Sequence, residues 1–370
     1  MAISKIPSAG FQDNVKFRNI IINGDMSISQ RSTSVSGITG STFGYFTVDR
    51  WRIGVDNLGT WTMSQDGDVP TGQGFAKSLK LDCTTADASP SASDALFLNT
   101  NFEGQMLQYL KKGTSNAESL TLSFWVKSNK TGTYTISLDD NDNNRNIVGT
   151  YVINSANTWE KKTLTFAGDT TGAFDNDNQN SLRFYFWLGV GSNYNSGTLA
   201  TSWENTVTAN LVSSSNVNLA DSISNYINIT GVQLEAGQTA SEFEFLPFDI
   251  NQQRCFRYYE RYQGTGGNRT TFSIGIKRDT YSGSDASVSG ILNYRVRKRG
   301  SVTITYNASN NYSYSYGVTG DQFFSSYSFA NIRQDYAVFN GELGTGVTNS
   351  GGIIHMREET SKFTAIDSEL

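Results

Sequence analysis

Apolar and polar residues alternate with a period of two in short runs along most of the chain. In the first two thirds such runs fall at Thr47–Ile53, Thr60–Ser64, Lys77–Leu81, Ser119–Val126, Gly132–Leu138, Thr158–Phe166, Leu182–Leu188 and Ile227–Leu234. An earlier run, Asn19–Ile28, carries Ile20, Ile21 and Ile22 ahead of an Asn-Gly-Asp turn and reads as a first strand. Successive side chains of a strand point to opposite faces, so each run offers one face to a core and the other to solvent. Separated by Gly, Asn, Asp and Ser turns, these runs predict a two-sheet β-sandwich. One segment departs from the period. Glu103–Lys112 places Met106, Leu107 and Leu110 at helical spacing, with Gly113 as the cap, and predicts a short helix.

Alternation resumes in the last third at Arg254–Tyr262, Thr271–Lys277, Ser287–Tyr294, Val302–Asn307, Asp335–Leu343 and Ile353–Glu358. No helical period is visible there, and Asn307–Tyr327 reads as a long Asn/Ser/Tyr-rich connection. Between the two sets, Phe243–Asp249 is an exit segment in which Pro247 cannot donate a ladder hydrogen bond. The expected organisation is therefore all-β. A lead-in segment at 1–18 precedes an N-terminal jelly-roll β-sandwich at 19–250 and a smaller C-terminal β-sandwich-like domain at 251–370.

Composition agrees with that division. Only 17% of residues are charged and 12% are aromatic, a mixture that suits strands and polar turns better than helices. No apolar run of membrane-spanning length occurs, and MAISKIPSAGFQDN lacks the apolar core of a signal peptide. Cys83 and Cys255 lie far apart and are expected to be reduced, buried small hydrophobes. The net charge of −5 hides an asymmetry: Arg254–Arg299 holds ten basic residues against Glu260, Asp279 and Asp285. Nucleic acid is not the expected partner, because no recognition motif accompanies the basic cluster and the whole chain is acidic.

Candidate chemistry is sparse. His355 is the only histidine, and no nucleophile elbow precedes it. A structural histidine and a non-enzymatic protein are the expectation. Asp139, Asp140 and Asp142 read as turn residues or cation ligands rather than a hydrolytic pair. Sugars offer apolar C–H faces to aromatic rings and hydroxyls to polar rims. Trp51, Trp61, Trp125, Trp159 and Trp187 fall within strand patterns and are expected in the core, whereas Trp203 lies in a polar loop near Tyr194. Tyr312, Tyr314 and Tyr316 alternate with serines and would share one face of an extended segment, as a receptor site or else as a trimer interface or packed β-face. In the basic cluster, Arg295, Arg297, Lys298 and Arg299 would suit an acidic glycan, with Arg297 and Arg299 as the candidates. Arg254, Arg257 and Arg261 are read rather as interface residues.

Several stretches carry a family resemblance: RNIIINGDMSISQR, FTVDRWRIG, EGQMLQYLKKGTSNAESLTLSFWVKSNKTGTY, NTWEKKTLTFAGDTTGAFDND, ITGVQLEAG with FRYYERY, and the final TAIDSEL. In this order they resemble the carbohydrate-binding-module-like jelly roll of bacteriophage tail fibres and other virion receptor-binding proteins. The resemblance implies a virion protein of the phage tail, made in the host cytoplasm and released by lysis. It also implies a homotrimer, contact with other tail or adaptor proteins, and attachment to a host-surface glycan. No cofactor is required. A structural calcium ion between the first and last strands is the one candidate, with Asn23, Asp25 and Glu235, or Gln233, as ligands. A capsid-mounted fibre or decoration protein and a glycan-hydrolysing tail protein are the alternatives.

Overall fold

The structure is a computed structural model that describes residues 17–263, 270–279, 286–306, 312–315, 321–343, 351–356 and 363–370. Its chain separates into two compact units. The first holds the described residues up to Ser27, Ser34–Tyr45 and Trp51–Leu246; the second holds Ile28–Thr33, Phe46–Arg50 and the chain from Pro247 onward. A single boundary at 250/251 therefore misses two short N-terminal segments that belong with the C-terminal unit.

Unit 1 is built from β1 (Ser34–Gly44), β2 (Arg52–Asp66), β3 (Ser78–Thr85), β4 (Ala95–Glu103), β5 (Leu120–Ser128) and β6 (Gly132–Asp140). It continues with β7 (Arg145–Ile153), β8 (Glu160–Phe166), β9 (Asn180–Val190), the single turn α1 (Ser192–Asn195), β10 (Glu204–Asn205) and β11 (Tyr226–Ala236). The strands join in the order β10-β7-β6-β9-β4-β2-β3-β11-β5-β8, with β1 on β2. The long β2 serves both halves of this path. Its Arg52–Asn57 stretch pairs with β4 and its Thr60–Asp66 stretch with β3, and Asn57 and Gly59 between them take positive φ. That bend folds the path into the two layers of a jelly roll. Phe124 of β5 meets Phe186 of β9 edge-to-face at 5.0 Å, which marks the core between the layers.

Three expectations for the chain before Pro247 need correction. Asn19–Ile28 is not a strand. Its turns lie against β11, with Ile20 N–H donating to Leu234 O and Val232 N–H to Gly24 O, both at 2.9 Å. A Cβ at Gly24 would stand 2.1 Å from Val232 O, so only glycine permits this approach. Thr47–Arg50 likewise forms bends, and β2 begins only at Arg52. Glu103–Lys112 is two 3-10 turns, Gly104–Met106 and Gln108–Leu110, and no α-helix forms. Lys111 in the left-handed region ends the second turn, so Leu107 and Leu110 reach the core without a third turn of helix.

Unit 2 contains α2 (Phe248–Phe256), β12 (Tyr259–Gln263), β13 (Thr270–Asp279), β14 (Ala286–Asn293) and β15 (Thr303–Tyr306). Beyond them lie β16 (Tyr312–Ser315), β17 (Asp321–Ala330), β18 (Tyr336–Leu343), β19 (Gly351–Met356) and β20 (Phe363–Asp367). Strands β13-β14-β18-β17-β16-β19 close into a barrel, and β12-β20-β15 form a small sheet. The all-β class holds, but one layer of this unit is a closed ring that has no edge strands. Val288, Leu292, Tyr312, Phe339, Ile354 and Met356 belong to its core. The expected strand Arg254–Tyr262 is strand only from Tyr259; its first residues complete the helix α2, which begins inside the exit segment. Pro247 precedes the helix, Asp249 sits in its first turn and Arg254 in its last, and Asn251 and Cys255 are buried one turn apart. Cys83 and Cys255 are both free and buried.

Candidate functional site

The central strands of unit 1 are buried on both faces, and the two faces differ in chemistry. In β9, Leu182, Phe184, Phe186 and Leu188 alternate with Arg183, Tyr185 and Trp187. In β4, Leu96, Leu98, Thr100 and Phe102 alternate with Phe97, Asn99, Asn101 and Glu103, and all nine residues of the strand are buried. One set faces the other layer. The other set builds a second surface of rings, amides and charges.

Register places this second set in rows across the strands. In one row Asn101 stands opposite Arg183, Arg183 opposite Asp139, and Asp139 opposite Asn146. The next row runs from Arg52 to Asn99, Tyr185 and Ser137. A third runs from Gly54 to Phe97, Trp187 and Thr135. Gly54 has no side chain because the Phe97 ring lies where one would go, 2.2 Å from an ideal Cβ. Tyr185 and Trp187 stack at 5.2 Å, with Phe97 edge-on to both at 5.1 and 5.3 Å. Trp187 Nε1 donates to Ser137 Oγ at 3.0 Å, which fixes the indole. Asn99 Nδ2 donates to Asn101 Oδ1 at 2.9 Å, and Asn101 Nδ2 reaches the Tyr45 hydroxyl at 3.4 Å.

The floor of this face is thus Asn99, Asn101, Ser137 and Tyr185, all buried, while Tyr45, Arg52, Asp139 and Arg183 are half-buried at its opening. Burial pushes the Asp139 carboxyl up to about 6, against the lowering effects of the Ser137 hydrogen bond and the Arg183 charge. Burial also raises the Tyr185 phenol, and the Asp139 charge adds to it. Asn99 Oδ1, Asp139 Oδ1 and both amide atoms of Asn146 are buried without a protein hydrogen-bond partner among the described residues. Unmet polar groups of this kind cost about 1–3 kcal/mol each. The four such atoms on this face suit a polyhydroxylated ligand, whose hydroxyls both donate and accept.

The residues singled out in the sequence lie elsewhere. Trp203 is half-buried: its Nε1 donates to Ala167 O at 2.7 Å, and its carbonyl accepts from Arg145 at 3.1 Å. It serves the loop structure of unit 1. Tyr312 is fully buried in the barrel, edge-on to Phe339 at 5.1 Å, with its hydroxyl on Thr364. The expectation of an exposed Tyr312 is therefore corrected: its strand lies between β17 and β19, where an inward ring fills the core. Tyr314 lies on the same strand, β16, and Tyr316 lies outside the described residues. Arg299 donates to Ser368 O at 2.9 Å and Glu369 O at 3.1 Å, so it ties down the C-terminal segment and is not a free ligand for a glycan. Arg297 is 69% exposed and holds Gln334 Oε1 through two nitrogens. Lys298, beside it, is buried on Glu260 at 2.7 Å. Arg261 donates to the carbonyl of Arg31.

Of the ligands expected for calcium, the Glu235 carboxylate is already engaged by protein donors. Glu235 Oε1 accepts from Gln233 Nε2 at 2.9 Å and Ser241 N–H at 2.8 Å, and Oε2 accepts from Ser241 Oγ at 2.7 Å. Arg18 stands 3.8 Å from the same carboxylate. The Asn23 carbonyl accepts from Trp51 Nε1 at 3.2 Å. The second acidic segment is filled as well: Lys112 Nζ lies 2.5 Å from Asp140 and 3.1 Å from Asp169. No group of three His, Cys, Asp or Glu suited to a metal occurs among the described residues.

Sequence reasoning missed the sheet face, although RFYFWL carries its signal. Arg183 and Tyr185 alternate with Phe184 and Phe186, which is a strand with two occupied faces. Fold and site together define the class: a jelly-roll β-sandwich with a polar, aromatic sheet face, followed by a barrel-containing β-unit. No protein-family model and no curated protein matches the chain. Among solved structures it is similar to the enzymatically active domain of bacteriophage CBA120 tailspike protein 4, at 15% identity and a TM-score of 0.32. That likeness covers 59% of this chain and 21% of the other. TmCBM61 in complex with β-1,4-galactotriose is 10% identical over 59% of this chain and 99% of its own, at a TM-score of 0.30. A family 11 carbohydrate-binding module from Clostridium thermocellum, in complex with a mixed-linked tetrasaccharide, is 10% identical over 56% and 99%, at 0.28. Scores this low carry no argument about ligand or activity.

Proposed function

We propose that the protein is a non-enzymatic attachment component of a phage particle, a tail fibre that holds a host-surface glycan on the second sheet face of unit 1. The observation that carries the glycan part is the set of cross-strand rows, which put Arg52, Asp139 and Arg183 at the opening over a floor of Asn99, Asn101 and Tyr185. Charged and amide groups would bind hydroxyls there, and the exposed Phe43 with the neighbouring Tyr45 would meet an apolar sugar face. The virion part rests on the resemblance of RNIIINGDMSISQR, ITGVQLEAG and TAIDSEL to tail-fibre sequences. In this reading the fibre is a homotrimer joined to other tail or adaptor proteins.

The test is adsorption of labelled full-length protein to candidate host cells, with purified envelope polysaccharide as competitor. Saturable adsorption that the polysaccharide abolishes, without new reducing ends, is expected. Binding to virions but not to cells would move the protein to a capsid role. Release of reducing ends would make it a hydrolase.

A further inference from the structure

Unit 2 has its own concave site, whose polar residues lie outside both the sheet face and the barrel core. A cavity of about 550 Å³ is lined by Arg297, Ser301, Arg333, Gln334, Asp335 and Tyr336, with Val302 and Ile332 as its apolar part. That volume lies in the range of small-ligand sites, about 300–1,000 Å³. Two short segments form it, and both are held from behind. Lys298 N–H donates to Gln334 O at 2.7 Å, Tyr294 N–H to Asp335 O at 3.0 Å, and Arg333 N–H to Tyr336 O at 2.8 Å to close the turn. The buried Lys298–Glu260 pair anchors the first segment. The walls are therefore set before any ligand arrives, which lowers the cost of binding.

The polar groups are unequally committed. Arg297 holds Gln334 Oε1 through Nε at 3.0 Å and through a terminal nitrogen at 2.8 Å, and stands 3.8 Å from Asp335. This turns the Gln334 amide so that its oxygen is spent and its NH2 is left to donate. Arg333 is exposed, and its guanidinium has no ion pair or hydrogen bond among the described residues. A cation free to pair, an amide donor, a carboxylate acceptor and a hydroxyl thus surround an apolar wall that carries Tyr336.

The geometry points to a binding site for an acidic sugar, a uronic acid unit of a surface polysaccharide. Arg333 takes the carboxylate, a planar anion that suits the guanidinium fork. Gln334 and Ser301 donate to ring oxygens and hydroxyls, and Asp335 accepts from a hydroxyl that a simple anion lacks. Tyr336, 37% exposed, covers the C–H face. This deepens the attachment role by giving unit 2 a ligand class, yet it rests on residues separate from those of the sheet face.

Calorimetric titration of the full-length protein decides it. The probes are a tri-galacturonate, the same trisaccharide with its carboxyls reduced to alcohols, and inorganic phosphate. The uronate is expected to bind saturably and to bind about tenfold more weakly after carboxyl reduction. Arg333→Gln should lose about the same factor while keeping the thermal unfolding curve of the parent. Affinity should fall with added salt, since the site is open to solvent. Equal binding of the reduced sugar, or an unaffected Arg333→Gln, would overturn the assignment. Phosphate binding as tight as uronate would reduce the site to a simple anion site and overturn the sugar part. Loss of the uronate signal in Arg52→Ala/Tyr185→Ala, with Arg333→Gln unaffected, would place the sugar on the sheet face of unit 1 and overturn the assignment to unit 2.

Discussion

Single residues show how completely unit 1 satisfies its charges away from the candidate face. Lys112 Nζ is ringed by Asp140 Oδ2 at 2.5 Å, Asp169 Oδ2 at 3.1 Å, Gly172 O at 2.7 Å and Thr171 O at 3.0 Å. Four oxygens around one ammonium form a coordination shell in which the lysine is the built-in cation. Removing one partner from a buried ion group strands the others, at a cost of about 3–5 kcal/mol. Lys112→Met is therefore expected to lower stability in urea unfolding by that amount, and adding Asp140→Asn should recover part of it. A loss below about 1 kcal/mol would show that the cluster is solvated. Asp139 is the opposite case. Its carboxyl is raised to about 6 because burial penalises the charge. The folded state then holds a proton that the unfolded chain, titrating near 4, has released, so this contribution falls as pH rises from about 4 through 6. Asp139→Asn should accordingly unfold at a higher temperature than the parent at pH 7.5, with the gap closing below pH 4. A gap independent of pH would contradict it. Neither role was legible in the sequence, since Asp139 and Asp140 are neighbours whose opposite environments are set by strands far away in the chain.

At the scale of elements, alternation revealed most strands because one apolar face is enough to mark them. It missed β1, β4 and β7, although the doubly buried β9 and β11 were marked. In β4 the polar Asn99, Asn101 and Glu103 are buried as fully as the apolar residues, and β1 is mostly exposed or half-buried. The turns at Asn19–Ile28 mimic a strand because Ile20, Ile21 and Ile22 are all buried, whereas β11 supplies their hydrogen bonds at Val232, inside the bulged stretch Thr230–Gln233, and at Leu234 just beyond it. The same logic separates the roles of neighbours on β9. Phe184→Ala opens the core between the layers and should cost about 3–5 kcal/mol. Tyr185→Ala, on the other face, should cost less in stability but weaken glycan binding about tenfold, the loss of a packed ring and a hydroxyl. Equilibrium unfolding and a binding isotherm on each variant separate the two effects. Equal behaviour of both would deny that the faces differ in function.

At the scale of the molecule, linear reading divides the chain at a single point and cannot see that Ile28–Thr33 and Phe46–Arg50 fold with the second unit. Within that unit, Arg31 pairs with Asp367 at 3.0 Å and lies over Tyr259, while Arg50 binds Glu369 and lies over Tyr258. Such pairs join residues more than 300 positions apart, which no local pattern encodes. The family-like stretches ISQR, VDR, FRYYERY and TAIDSEL thereby meet in one cluster. Glu369→Gln should lower the unfolding temperature of the full chain, and a chain truncated after 250 should uncover the buried Ile28 and Val48 and lose solubility. An unchanged melting curve for Glu369→Gln would place the cluster at the solvated surface. The attachment role has its most direct test in the binding isotherm of full-length protein with polysaccharide purified from cells to which it adsorbs, repeated with Arg52→Ala/Tyr185→Ala. Saturable binding by the parent, with a loss of tenfold or more in a variant that melts as one folded species, is the predicted result. Equal binding by parent and variant would contradict the assignment of the glycan to the sheet face.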